Sequence, residues 1–149
     1  LISKSLSRYL AVQAIFNQSF GFDKKKIEQD FFDQNDSKFN IDLECELDLK
    51  KFNKIFFKKI FNNVFEKEEY IYDLISKNLE SSWTLSRLPR VLQAILKVAI
   101  SEMITYPRTS IGIIITEYLM LAESFSIEKE TNFINAILDK IHKTIQVNE

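Results

Sequence analysis

Asn132-Phe133-Ile134-Asn135-Ala136-Ile137-Leu138-Asp139-Lys140-Ile141 is the stretch on which the fold of this chain turns. Phe133, Ile134, Ile137, Leu138, Ile141 and, beyond it, Ile145 recur at spacings of three and four. That is the stripe of an amphipathic helix laid against a core. Asn135 interrupts the stripe, and Asp139 with Lys140 follows one turn later. Such a helix needs other helices to pack on, and the rest of the chain supplies the same period.

Immediately upstream, Ser126 is placed to cap this last helix, with Glu128 and Glu130 in its first turn. Ser110 suits the cap of a helix over Ile111–Phe125, and Pro107 forces the stop before it. Val91, Ile95, Val98, Ala99 and Met103 put a further helix over Val91–Ile104, with Ser86 as cap and Pro89 in its opening turn. Residues 66–79 read as a helix. A phenylalanine-rich one precedes it, starting near Asp48 and carrying Phe52, Ile55, Phe56, Ile60 and Val64 on one stripe, with Phe57, Phe61 and Phe65 on a second. Apolar on so much of its circumference, this helix is expected at the centre. Ser3 or Ser5 caps a first helix that runs to about Phe20 and stops at Gly21. A short helix over 24–34 and a polar loop from Gln34 to Glu46 complete the chain.

Two glycines and two prolines among 149 residues leave too few tight turns for a sandwich or barrel. The expected fold is all-α, about seven helices in a single domain over residues 1–149. Its helical subdomains divide near residue 80, at about 1–80 and 81–149.

Composition also limits the chemistry. The single cysteine, Cys45, forms no internal disulfide and lies in an acidic segment without a histidine. His142, the one histidine, sits between Lys140 and Lys143 and reads as a surface residue. There is no metal-ligand spacing and no glycine-rich phosphate loop. No run approaches the roughly 20 apolar residues of a membrane span, so no membrane association and a cytoplasmic location are expected. Neither catalysis nor a cofactor is expected.

Binding is left. Net charge is −1, yet residues 1–20 hold Lys4 and Arg8 and no acid. One turn apart, this pair either tracks a phosphate backbone or is two solvated cations. Lys51, Lys54 and Lys58 share a face that reads as solvated. Phe125 and Phe133 either pack in the core or stack on an unpaired base. Asn135 bonds a neighbouring helix end or an RNA edge.

Three stretches together resemble the transcription antitermination factor NusB family. The first is Arg8-Tyr9-Leu10-Ala11-Val12-Gln13-Ala14-Ile15-Phe16. The second is Trp83-x-Leu85-x-Arg87-Leu88-x-Arg90-Val91-x-x-Ala94-Ile95-Leu96-x-x-Ala99-x-x-Glu102. The third is Ile115-Thr116-Glu117-x-x-x-Leu121-Ala122-x-x-Phe125, followed by Phe133 through Ile141.

The resemblance implies an RNA-binding protein that takes the single-stranded boxA element of ribosomal RNA leader transcripts. It implies a ribosomal small-subunit protein, NusE, as partner, an antitermination complex on RNA polymerase, and in some relatives a homodimer. By position it carries RNA contacts to Lys4, Arg8, Gln13, Phe16, Phe125, Lys129, Phe133 and Asn135. It centres the partner surface on Val91, Leu92 and Ile95. The chain departs from the family where Ser126 and Ala136 replace glycines, Thr116 an asparagine, and Leu92 a charged residue. A different class of reading is a NusB-like helical scaffold for protein interaction, or the N-terminal part of a ribosomal RNA cytosine methyltransferase.

Overall fold

In the computed structural model, residues 3–21, 23, 25–26 and 52–148 are described. They form six α-helices: α1 (Lys4–Gln18), α2 (Lys54–Glu66), α3 (Glu68–Asn78), α4 (Arg90–Thr105), α5 (Ile111–Ser124) and α6 (Thr131–Asn148). Two 3-10 turns, Leu85–Arg87 and Glu128–Glu130, precede α4 and α6. The expected 24–34 helix, the Gln34–Glu46 loop, Cys45 and Asp48 lie in whole or large part outside the described residues.

The cap of α1 is Ser3, whose hydroxyl accepts from the Leu6 N–H at 2.9 Å. Ser7, one turn on, is buried and ties α1 to the start of α2. Its hydroxyl accepts from Asn53 N–H at 2.7 Å and lies 3.1 Å from the Asn53 carbonyl. A single parallel bridge between Ser3 and Phe52 closes the same corner. The start of α2 is thus set by Asn53, whose side chain accepts from Phe56 N–H at 3.0 Å. It begins several residues later than the Asp48 start that the carboxylate suggested.

The central helix is α4 and not the phenylalanine-rich α2. It packs against each of the other five helices. Its buried residues run through Leu92, Ala94, Ile95, Leu96, Val98, Ala99, Ile100, Ser101, Glu102 and Met103. By contrast α2 leaves Ile55, Lys58 and Lys59 exposed, and its inward rings pack within one flank, Phe57 on Phe61 at 5.6 Å and Phe61 on Phe65 at 5.3 Å. Two hydrogen bonds tie α2 to α4: Ser101 Oγ to the Ile60 carbonyl at 2.6 Å, and Asn63 Nδ2 to Thr105 Oγ1 at 2.7 Å. Pro89 occupies the capping position of α4, and Ser86 falls inside the preceding 3-10 turn. Proline there sets the chain direction without losing an intrahelical donor.

α6 buries Ile134, Ile137, Leu138, Ile141 and Ile145, the stripe expected for it, against α3, α4 and α5. One continuous core runs from Leu6 to Ile145.

Ser126 does not cap α6. It follows α5 in the left-handed region, φ 61°, with Ile127 N–H bonding the Ala122 carbonyl at 2.8 Å and Ser126 N–H the Glu123 carbonyl at 3.0 Å. These two bonds are those of a Schellman ending, whose left-handed position favours glycine. Left-handed backbone costs a residue with a Cβ about 1–2 kcal/mol, and glycine returns about 0.4–1 kcal/mol of that through the unfolded chain. Ser126→Gly is therefore expected to stabilise the protein by about 0.5–1 kcal/mol. A higher urea midpoint at unchanged slope is the sign to look for, and a lower one refutes this account.

Candidate nucleic-acid interface

Arg8, offered by the sequence as a phosphate contact, is 4% exposed. Its Nε and Nη2 each donate to one oxygen of Glu102 at 2.7 Å. Its Nη1 stands 3.0 Å from Glu117 Oε1, and its guanidinium lies 5.2 Å above the Phe56 ring. Glu102 is wholly buried and also accepts from the Tyr118 hydroxyl at 2.8 Å. Burial opposes the guanidinium's charge, but the bond to Glu102 and the charges of Glu102 and Glu117 outweigh it, so the Arg8 pKa is raised. Burial, and then Glu102, push the Tyr118 hydroxyl well above its ordinary range, so it stays a donor. Arg8 is thus a structural tie between α1, α4 and α5, with its donors turned inward. This corrects its assignment to the RNA face.

The neighbours of Arg8 reach the surface. Ser5 Oγ donates to Glu117 Oε1 at 2.7 Å, and the exposed Lys4 places its ammonium 5.5 Å over the same Phe56 ring. One turn further along, Tyr9 stacks on Phe125 at 4.9 Å and 18°. Both rings are half-buried. Gln13 follows Tyr9 on α1 by one turn, half-buried, with its Oε1 buried and unpartnered. Lys129 is exposed on the 3-10 turn that leads into α6.

Other residues of the expected set lie elsewhere. Phe16 is twelve residues from Lys4 and so about 18 Å away along the α1 axis. There it packs edge-on against Phe20 at 4.9 Å. Phe20 in turn carries Arg90 at 4.5 Å, with Arg90 Nη1 bonded to the Ser19 carbonyl at 2.6 Å. Phe133 faces Trp83, centroids 6.3 Å apart and planes 24° off parallel. Asn135 is exposed, and two residues of helix rotate it about 200° from Phe133, onto the opposite flank. The two therefore do not form one contact.

The partner surface also needs correction. Leu92 and Ile95 are 1% and 0% exposed, because they lie on the core side of the central helix. Only Val91 of that trio is partly open. The exposed groups at the start of α4 are Arg90 and, across from it, Phe20.

The sequence reading missed Glu102, Tyr118 and Trp83 as organising groups. Glu102 had a detectable signal, since it continues the 95, 98, 99 spacing of a core stripe, where an acid requires a buried partner. Among the described residues no His, Cys, Asp and Glu group is suited to hold a metal. No helix among them is long and apolar enough to cross a membrane.

Comparison with known proteins agrees with this architecture. Curated relatives include the transcription antitermination protein NusB of Rickettsia africae, 31% identical over 147 residues, covering 94% of this chain and 91% of the relative. The protein of the same name from Novosphingobium aromaticivorans is 27% identical over 144 residues, with 97% and 95% covered. Among solved structures, T. maritima NusB superposes with a TM-score of 0.72 at 27% identity, covering 95% and 91% of the two chains. A structure of NusB and NusE in complex with double-stranded RNA matches in fold at 20% identity, TM-score 0.73, with 94% and 96% covered. The NusB family model matches residues 5–143. With nearly the whole chain matched in sequence and in helix arrangement, the chain belongs to the NusB family.

Proposed function

We propose that this chain is an antitermination factor acting as a single two-part helical domain. It binds single-stranded boxA RNA of ribosomal leader transcripts together with the ribosomal protein NusE. Its setting is the cytoplasm, in an antitermination complex on RNA polymerase. The family's named members are transcription antitermination proteins, not enzymes, and the match over residues 5–143 carries the reading. A solved NusB structure of the same fold is in complex with NusE and double-stranded RNA.

On this chain the RNA face runs from Lys4 along the Tyr9–Phe125 stack to Gln13 and Lys129. The stack offers a flat aromatic platform, and the two lysines offer charge for phosphates. The partner face is the Phe16, Phe20, Arg90 and Val91 patch at the far end of α1, where exposed aromatic and arginine groups suit a protein contact.

With Arg8 turned inward, α1 presents Lys4 as its one outward cation, so RNA alone binds weakly. In fluorescence anisotropy a boxA RNA is expected to bind weakly without NusE, more tightly with it, and less well as salt rises. Equal binding of boxA and a scrambled RNA, even with NusE present, would refute the proposal. That same inward Arg8 favours a second reading, a helical scaffold that contacts protein alone, as in the NusB-like part of some RNA methyltransferases. NusE binding without any RNA effect would select it.

A further inference from the structure

We infer that the corner where the first turn of α1, the middle of α2 and the α4–α5 connection meet is a phosphate site for the RNA strand that flanks boxA. The inference rests on the RNA-binding reading above. It carries the strand past Lys4, onto a surface that neither the α1 face nor the α4 patch includes.

The charge of this corner is written in the sequence. Residues 3–21, 52–65 and 103–116 build its three walls, and together they hold six Lys and Arg and no Asp or Glu. The whole chain, by contrast, has 21 acids and a net charge of −1. Two acids reach the corner from neighbouring turns, Glu102 and Glu117, and both are bonded to Arg8. That tie leaves one negative charge against three outward cations, Lys4, Lys59 and Arg108, which are all exposed. None of the three has an ion pair among the described residues.

The packing brings them around one hollow. Lys4 Nζ lies 5.5 Å over the Phe56 ring, and Phe56 stacks on Tyr106 at 5.0 Å and 27°. Tyr106 lines an open hollow of about 340 Å³ with Thr105, Pro107, Arg108 and Thr109. Asn63 joins α2 to the same rim, its amide donating to Thr105 Oγ1 at 2.7 Å. Lys59 stands one turn before Asn63 on α2.

This rim is shaped before any ligand arrives. Thr105 Oγ1 donates in turn to the Ser101 carbonyl at 2.7 Å, and Thr109 N–H bonds the Tyr106 carbonyl at 3.0 Å. Pro107 fixes its own φ between them. The ring under Lys4 attracts the ammonium without neutralising it, so its donors stay open to an anion. Phe56 is 3% exposed and offers no face to a base. Exposed cations around a shallow hollow read charge and not sequence, which is what a phosphate backbone presents. An acidic protein segment carries the same sign. RNA is favoured because Lys4 already ends the proposed RNA face, so the strand reaches the corner without a break.

Intact protein with NusE is titrated by fluorescence anisotropy with the boxA core, and with the core extended by about six uridines on its 5′ or its 3′ side. One extended RNA is expected to bind more tightly than the core. Its log affinity should fall more steeply against log salt by about 1.4, the share of two phosphates held by Lys59 and Arg108. Between about 50 and 200 mM salt that is roughly a sevenfold greater loss. Lys59→Ala combined with Arg108→Ala, both exposed changes, returns the extended RNA to the slope of the core. Lys77→Ala combined with Lys143→Ala removes the same charge from elsewhere on the surface and keeps the steeper slope.

Equal binding of the core and both extended RNAs overturns the site and leaves the RNA reading standing. A gain that survives Lys59→Ala with Arg108→Ala, or that falls equally in the Lys77 and Lys143 control, does the same. Weaker NusE binding by the Lys59 and Arg108 variant with no RNA present overturns the site in favour of a protein contact. No RNA binding under any condition overturns the RNA reading and the site with it.

Discussion

Glu102→Ala is expected to remove about 3–5 kcal/mol of stability, the loss seen when one partner of a buried ion pair is deleted. Glu102 is fully buried and takes three donors, Arg8 Nε, Arg8 Nη2 and the Tyr118 hydroxyl. Without it, the guanidinium keeps only Glu117, and a buried hydroxyl is orphaned. Domains of this size have roughly 5–15 kcal/mol in all, so the variant stands near the edge of folding. At about 2–4 °C per kcal/mol the melting temperature falls by roughly 6–20 °C. A melting temperature equal to that of the native protein would refute the tie.

A companion variant separates the charge from the packing. Arg8→Met, Glu102→Leu and Tyr118→Phe together remove the fully buried charges and donors of the tie while keeping volume, and leave the part-exposed Glu117 with the Ser5 hydroxyl. They are expected to recover most of the stability, because a buried pair replaced whole by apolar groups is often neutral. The triple variant should also keep native RNA affinity, since the guanidinium does not face solvent. A sharp loss of RNA binding at full stability would return Arg8 to the interface.

Ile95→Ala is expected to cost the free protein about 2–5 kcal/mol, as for other buried aliphatic truncations. The measurement is denaturation with no partner present. A residue of a partner-binding surface would leave that stability unchanged and weaken NusE binding instead. Ile95 is 0% exposed at the middle of the central helix, so the loss appears before any partner is added. Native stability in this variant would put Ile95 back on the surface.

The helices themselves were legible in the sequence. Periodicity placed a helix over Val91–Ile104 where Arg90–Thr105 is observed, and another over Ile111–Phe125 where Ile111–Ser124 is observed, with Ser110 as its cap. Those features depend on local chemistry, apolar spacing and capping hydroxyls. Ser126 was misread because a small polar residue suits either the start of one helix or the left-handed end of another. Only the bonds back to Ala122 and Glu123 tell the two apart.

Arg8 was misread for a tertiary reason. Nothing within α1 reveals that a carboxylate from α4 and another from α5 converge on it. Ile95 was a different kind of error. Its own spacing placed it in the core, and a carried-over role pulled it to the surface. Where period and likeness disagreed, the period was right. The Trp83–Phe133 contact was hidden because its two rings are fifty residues apart in sequence and meet only when α6 packs on α3.

The corner where Ser3 and Ser7 meet Phe52 and Asn53 has a consequence for how this chain tolerates change in length. The chain leaves α1 at Gln18, about 22 Å from that corner, and must travel back to it before α2 begins. An extended chain covers that distance in about seven residues, and the segment between them is far longer. The register of α1 on α2 is therefore set at the corner, by serine and asparagine hydrogen bonds, and not by the number of residues between the two helices. A change in that number leaves the bonds that align the two helices in place.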